Sequence, residues 1–208
     1  MARQAAKRAP GADRILDAAL HLAGRMRWRD VTMEKVAAES GATLGRVHQF
    51  YPSKAALLNG FMDRIDKAVL AGHDFADASE PVRERLLDVL MRRFDALAPH
   101  RAAVRSILRD AGCDPLTVFC NAPAFARAMA WSLEASGVSA SGPLGLVRVK
   151  GLAAIYLSAL RVWLRDETED LSPTMANIDR NLRRADALIS AISRPRRRRR
   201  RDEEHAEA

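Results

Sequence analysis

Cysteine is scarce: Cys113 and Cys120 are the only two in 208 residues, and they do not form a CxxC pair. Such spacing supports neither a structural zinc site nor a disulfide framework, so two buried or free thiols are expected. The stretch MARQAAKRAPGADR at the start is polar and basic, without the apolar run of a secretory signal, and a cytoplasmic protein is expected. The Ala- and Leu-rich stretch from Gly142 to Leu164 is interrupted by Arg148, Lys150 and Arg161, which argues against a membrane span. No segment alternates with period two over a useful length, so no sheet is expected. Reactive groups are also sparse. The five histidines are scattered at 21, 48, 73, 100 and 205, and there is no nucleophile with a base, no paired carboxylates, no metal-ligand cluster and no Gly-rich phosphate loop. These absences argue against an enzyme, and they imply no metal and no cofactor.

The charge is unevenly placed. Residues 1 to 72 hold twelve Lys and Arg against seven Asp and Glu, a net +5; residues 73 to 193 hold fifteen of each; and residues 194 to 208 hold seven against four, a net +3. A basic N-terminal module on a neutral body suits a DNA reader attached to a sensing or dimerising domain, because phosphate attraction supplies most non-specific affinity. Ordinary solubility would account for the overall +8 alone.

The most informative stretch is TMEKVAAESGATLGRVHQFYPSKAALL, residues 32 to 58. Thr32 can cap a helix whose apolar positions Met33, Val36 and Ala37 follow a 3.6-residue period, and Ser40-Gly41 ends it where a left-handed residue is needed. Thr43 can cap a second helix of about two turns, because Pro52 pushes Tyr51 out of the helical region and Ser53 caps the next. Two short helices joined at an angle by a glycine turn have the geometry that lays the second in a DNA major groove. Thr43, Arg46 and Gln49 are then best placed to reach base edges, with Arg46 suited to guanine and Gln49 to adenine.

The same residues resemble the helix-turn-helix of TetR/AcrR-type transcriptional regulators over roughly residues 13 to 70. Gly41, Thr43, Gly45, Tyr51, Ser53-Lys54 and Leu57 fall where that family places its turn, cap, close-approach glycine, core aromatic and phosphate-binding lysine. The resemblance implies an all-α fold, a DNA-binding set of Thr43, Leu44, Gly45, Arg46, His48, Gln49 and Lys54, and backbone contacts from His48 and Lys54. His48 and Phe50 stand where the family often has Tyr, and His or Tyr.

Around this motif the chain reads as helices. A first helix from about Asp13 buries Ile15, Leu16, Ala19, Leu20, Leu22, Ala23 and Met26, with Trp28 and Val31 closing the same core. Ahead of it, Arg3, Lys7 and Arg8 lie in a basic arm of about a dozen residues that either reaches DNA or is a simple tail. Leu57, Leu58, Phe61, Met62, Ile65 and Val69 form a stripe on a connecting helix, and DFADASEP after Gly72-His73 marks a boundary. A helix from Val82 stops at Pro99, another ends at Gly112, and residues 115 to 136 are expected as one helix broken by Pro123. The domains expected are therefore 1–12 as arm, 13–72 for DNA binding, 73–193 for ligand binding and dimerisation, and 194–208 as an Arg-rich tail without a packed element.

The last two helices carry a second pattern. Apolar residues nearly encircle 144 to 164, and from Ser172-Pro173 onward Met175, Ile178, Leu182, Ala185, Ile189 and Ile192 repeat at helical spacing. In TetR-type proteins two such helices pair with those of another copy, which implies a homodimer through Leu152, Ile155, Met175, Ile178, Leu182, Ala185 and Ile189. The stretch from Leu152 to Ile189 also resembles the C-terminal part of the coenzyme Q biosynthesis lipid-binding proteins, which share this fold without binding DNA. That resemblance implies an apolar or lipid ligand among Phe94, Ile107, Phe119, Phe125, Met129, Trp131 and Tyr156; aromatic and Met residues at helical spacing are more often core. The six consecutive arginines at 196 to 201 could bind nucleic acid or an anionic surface, or simply be solvated. The reading reached is a dimeric TetR-type regulator, a repressor binding double-stranded DNA and released by a small apolar ligand. The alternative is a lipid-binding accessory protein of ubiquinone biosynthesis.

Overall fold

The computed structural model describes residues 11–71, 80–111 and 115–187, with backbone alone at 111 and 115–120. Every regular element among them is a helix. They are α1 (Ala12–Arg25), α2 (Met33–Ser40), α3 (Leu44–Phe50), α4 (Lys54–Ala71), α5 (Val82–Leu97), α6 (Arg101–Ala111), α7 (Pro115–Ala135), α8 (Gly142–Trp163) and α9 (172–187). One-turn 3-10 segments at Trp28–Asp30 and Ala98–His100 precede α2 and α6. Residues 1–10 of the basic arm, residues 74–79 of the DFADASEP segment, Cys113, Ile189, Ile192 and the Arg-rich tail lie outside the described residues.

Local signals explain the N-terminal elements. Thr32 Oγ1 accepts from the Lys35 amide, Thr43 Oγ1 from the Arg46 amide and Ser53 Oγ from the Ala56 amide, so α2, α3 and α4 each begin on a side-chain cap. Gly41 closes α2 at φ 67°, where its N–H bonds back to the last turn. Tyr51, ahead of Pro52, is extended at φ −138° and ends α3. Pro123, by contrast, does not break α7, which runs unbroken from 115 to 135. The proline is exposed while Ala124, Ala128 and Met129 just after it are buried, so packing of the following turns offsets the missing amide bond, a cost of about 3 kcal/mol.

The described residues fall into two compact units. Residues 11–71 with 92–131 form one, and 80–91 with 132–187 form the other. Compactness thus divides the chain differently from the boundary expected near residue 72, because α6 packs on α1 and on the 3-10 turn after it. In the first unit Ile15, Leu16, Val31, Val36, Val47, Leu57, Phe94 and Met129 are fully buried. The α4 residue Asp66 meets Arg93 in a buried ion pair at 2.5 Å. In the second unit the core comprises Val89, Leu90, Leu152, Tyr156, Trp163, Ile178 and Leu182. There Asp166 accepts from both the amide and the hydroxyl of Thr174, and from both of Thr168, which ties the turn between α8 and α9 to the start of α9. Burial pushes the Asp166 carboxyl up, and these four bonds more than offset it, holding the group below the usual carboxylate range. Among the described helices α8 is the one long and apolar enough to cross a membrane by length and composition, yet Val149, Leu152, Tyr156, Ala159, Leu160 and Trp163 place one side of it in this core.

Candidate nucleic-acid interface

The short helix α3 is held from behind and open in front. Val47 is its one fully buried residue, and Tyr51 at its end is buried as well. Tyr51 lies so close to α4 that a Cβ on Gly60 would come within 2.6 Å of its ring. Gly60 therefore admits the Tyr51 ring within the module, while Gly45 lies on the open side. A Cβ on Gly45 would meet nothing of this chain within 4 Å. Burial pushes the Tyr51 hydroxyl pKa up; Arg64 opposes that, and Asp13, Asp17 and Asp63 add to it. Arg64 binds the Asp17 carboxylate and both the carbonyl and carboxylate of Asp13, which clamps α4 to the start of α1.

The outward face carries most of the residues expected to meet DNA. Thr43, Leu44, Gly45, His48 and Gln49 are exposed, and Arg46 is half-buried. Leu44 is 55% exposed, unusual for a leucine on a helix with so little apolar surface to spare. Arg46 Nη1 donates to Gln49 Oε1 at 2.9 Å, and its guanidinium lies 4.6 Å from the centre of the Phe50 ring. Lys54 differs from the rest. Its ammonium donates to the Trp28 carbonyl at 2.5 Å and lies over the Trp28 ring, so this half-buried side chain is engaged with the turn after α1.

That turn is held from the other side by α6. The Ser106 hydroxyl accepts from the Trp28 amide and donates to the Met26 carbonyl, both at 2.9 Å, and the Asp110 carboxylate accepts from the Arg29 amide at 2.7 Å. The sequence reading missed Ser106 and Asp110. Their signal was available: with Ala103 they share the inward side of α6, where a polar residue needs a partner.

This helical architecture is shared with solved structures. A TetR transcriptional regulator from Nitrosomonas europaea ATCC 19718 is similar to the chain at 26% identity, TM-score 0.66, over 84% of this chain and 97% of that one. The fold is that of the TetR-type transcriptional regulators. A TetR transcriptional regulator from Rhodococcus sp. RHA1 has a TM-score of 0.60 at 22% identity, covering 82% of this chain and 92% of its own. A TetR-family regulator from Streptomyces coelicolor has 0.56 at 19%, covering 86% and 82%. No family model matches the sequence, and no curated protein matches it.

Within this TetR-type fold the other expected residues scatter. Of those assigned to a ligand, Phe94, Met129 and Tyr156 are buried, Ile107 and Phe125 are half-buried, and Trp131 is 51% exposed; the Phe119 side chain lies outside the described residues. Tyr156 belongs to the second compact unit and the others to the first. Of those assigned to a dimer, Met175 is exposed and Ile155 and Ala185 are half-buried. Leu152, Ile178 and Leu182 are buried within the single chain. Their seam faces the core of their own unit. The exposed apolar side chains nearby are Leu144, Leu146, Val147 and Leu157 on α8.

Proposed function

We propose that the protein is a TetR-type transcriptional regulator that binds DNA through residues 13–72. The observation carrying this reading is α3: a two-turn helix anchored by Val47, with Thr43, Leu44, Arg46, His48 and Gln49 turned outward at its capped N-terminal end. That end is what a recognition helix presents to base edges. The similarity to TetR regulators supports the same reading.

The regulator acts as a homodimer whose two recognition helices engage successive major grooves about 34 to 36 Å apart, which makes the operator an approximate palindrome. The dimer surface is the outer side of α8, where Leu144, Val147, Gly151, Ala154 and Leu157 recur every three or four residues and are all exposed. Met175 on α9 adds to it. Residues 73–193 form the ligand-binding and dimerising part, and binding of a small apolar ligand releases the operator, as for a cytoplasmic repressor. A ligand can do so only by as much as it prefers one arrangement of the recognition helices over another.

Selection of bound duplexes from a random DNA pool tests the proposal. Enrichment of a two-fold-related sequence is expected. Absence of any enrichment, together with lipid that co-purifies with the protein, would replace the regulator with the lipid-binding accessory role.

A further inference from the structure

We infer that Arg46 sets the base preference of Gln49, so that this pair selects guanine and rejects adenine. The inference rests on the DNA-reading role proposed above and concerns what the two side chains present together. Arg46 donates to the Gln49 side chain at 2.9 Å from one turn earlier on the same helix. A guanidinium carries donors and no acceptor, so the amide atom facing it must be the oxygen. Phe50, one residue beyond Gln49, holds the guanidinium in place through its ring face at 4.6 Å. The three residues stand at spacings of three and four, the spacings at which side chains meet on a helix.

The consequence is chemical. A glutamine reads adenine by accepting from its N6 amino group while donating to N7, which needs the amide oxygen directed at the base. Here that oxygen already accepts from Arg46, and the donor the amide has left to offer a base is its NH2. Arg46 also offers only donors. In the major groove guanine displays two acceptors, N7 and O6, whereas adenine and cytosine each display an amino donor. A donor-only pair therefore matches guanine and is repelled by an exposed base amino group. Glutamine taken alone would give the opposite preference at its base pair.

Duplex selection with the full chain, its Arg46→Ala, Gln49→Ala and Gln49→Glu variants tests this. Both side chains lie on the outward side of α3, and circular dichroism checks that each variant folds. The parent should enrich guanine at the base pair whose preference Gln49→Ala abolishes, and changing that guanine to adenine should weaken binding about tenfold. In Arg46→Ala the amide oxygen is released, and the discrimination against adenine at that pair should vanish or reverse. Gln49→Glu, which keeps an acceptor toward Arg46 and loses the NH2, should lose the guanine. Adenine at that pair in the parent, or an unchanged guanine preference in Arg46→Ala, overturns this inference and leaves the regulator standing. Failure of the folded parent to enrich any sequence overturns both.

Discussion

The ammonium of Lys54 lies 2.5 Å from the Trp28 carbonyl oxygen and 4.7 Å from the centre of the Trp28 ring. A side chain at the start of α4 is thereby fixed to the turn after α1, across 26 residues of chain, with α2 and α3 between them in sequence. The position expected to meet a phosphate is thus also a strut of the three-helix module.

Lys54→Ala should act twice. Loss of the bond and of the ring contact should lower stability by about 1 to 2 kcal/mol, read from urea unfolding. Loss of a phosphate contact should weaken all duplexes alike and make the salt slope shallower by about one unit. A stability change without a slope change would assign Lys54 to the strut alone.

The α6 side chains that hold the same turn can be tested by hydrogen exchange. Ser106→Ala and Asp110→Ala each remove the partner of a part-buried amide, Trp28 or Arg29, 78 and 81 residues away in sequence, at about 1 to 3 kcal/mol. Exchange at those two amides should quicken, and duplex affinity should fall although neither residue lies on α3. Unchanged protection would mean that α6 does not fix the turn.

His100 packs edge-on against Phe61 at 5.3 Å. Burial lowers its pKa, Arg64 lowers it further, and Asp17 partly opposes them. Folding therefore favours the neutral ring. The associated stability is fully present above the ordinary histidine pKa of about 6.5 and is lost as pH falls below that value toward the depressed one in the folded protein. The unfolding midpoint should drop between roughly pH 7 and 5 more steeply in the parent than in His100→Gln, where that titration is gone. Parallel profiles for the two proteins would show that His100 does not carry this dependence.

The two apolar faces of the C-terminal unit should respond oppositely to charge. Val147→Arg with Leu157→Arg alters exposed positions on α8 and should give a folded monomer by light scattering and circular dichroism. Ile178→Arg buries a charge inside the chain and should cost several kcal/mol, roughly enough to unfold it. A Val147/Leu157 variant that remains a dimer would move the interface off α8.

What the sequence determined by itself is the local geometry of the N-terminal short-helix module. Thr32, Gly41, Thr43, Pro52 and Ser53 act within a turn of their own positions, through caps, a left-handed residue and a blocked φ, so their effect is written in neighbouring residues. The helices from Val82 to Leu97 and from 172 onward were legible for the related reason that apolar residues repeat with the helical period. Periodicity says that a face is apolar and is silent about what covers it. Only the tertiary structure decided that Ile178 and Leu182 turn into their own chain while Leu144, Val147 and Leu157 stay outside, that Gly60 rather than Gly45 admits a neighbouring side chain, and that α7 continues through Pro123. It likewise decided that Ser106 and Asp110 hold the Trp28 turn and that Arg93 meets Asp66. Each of these depends on a partner many residues away or on the packing of whole helices, and such partners are chosen by the energy of the assembled core, not by any residue's immediate neighbours.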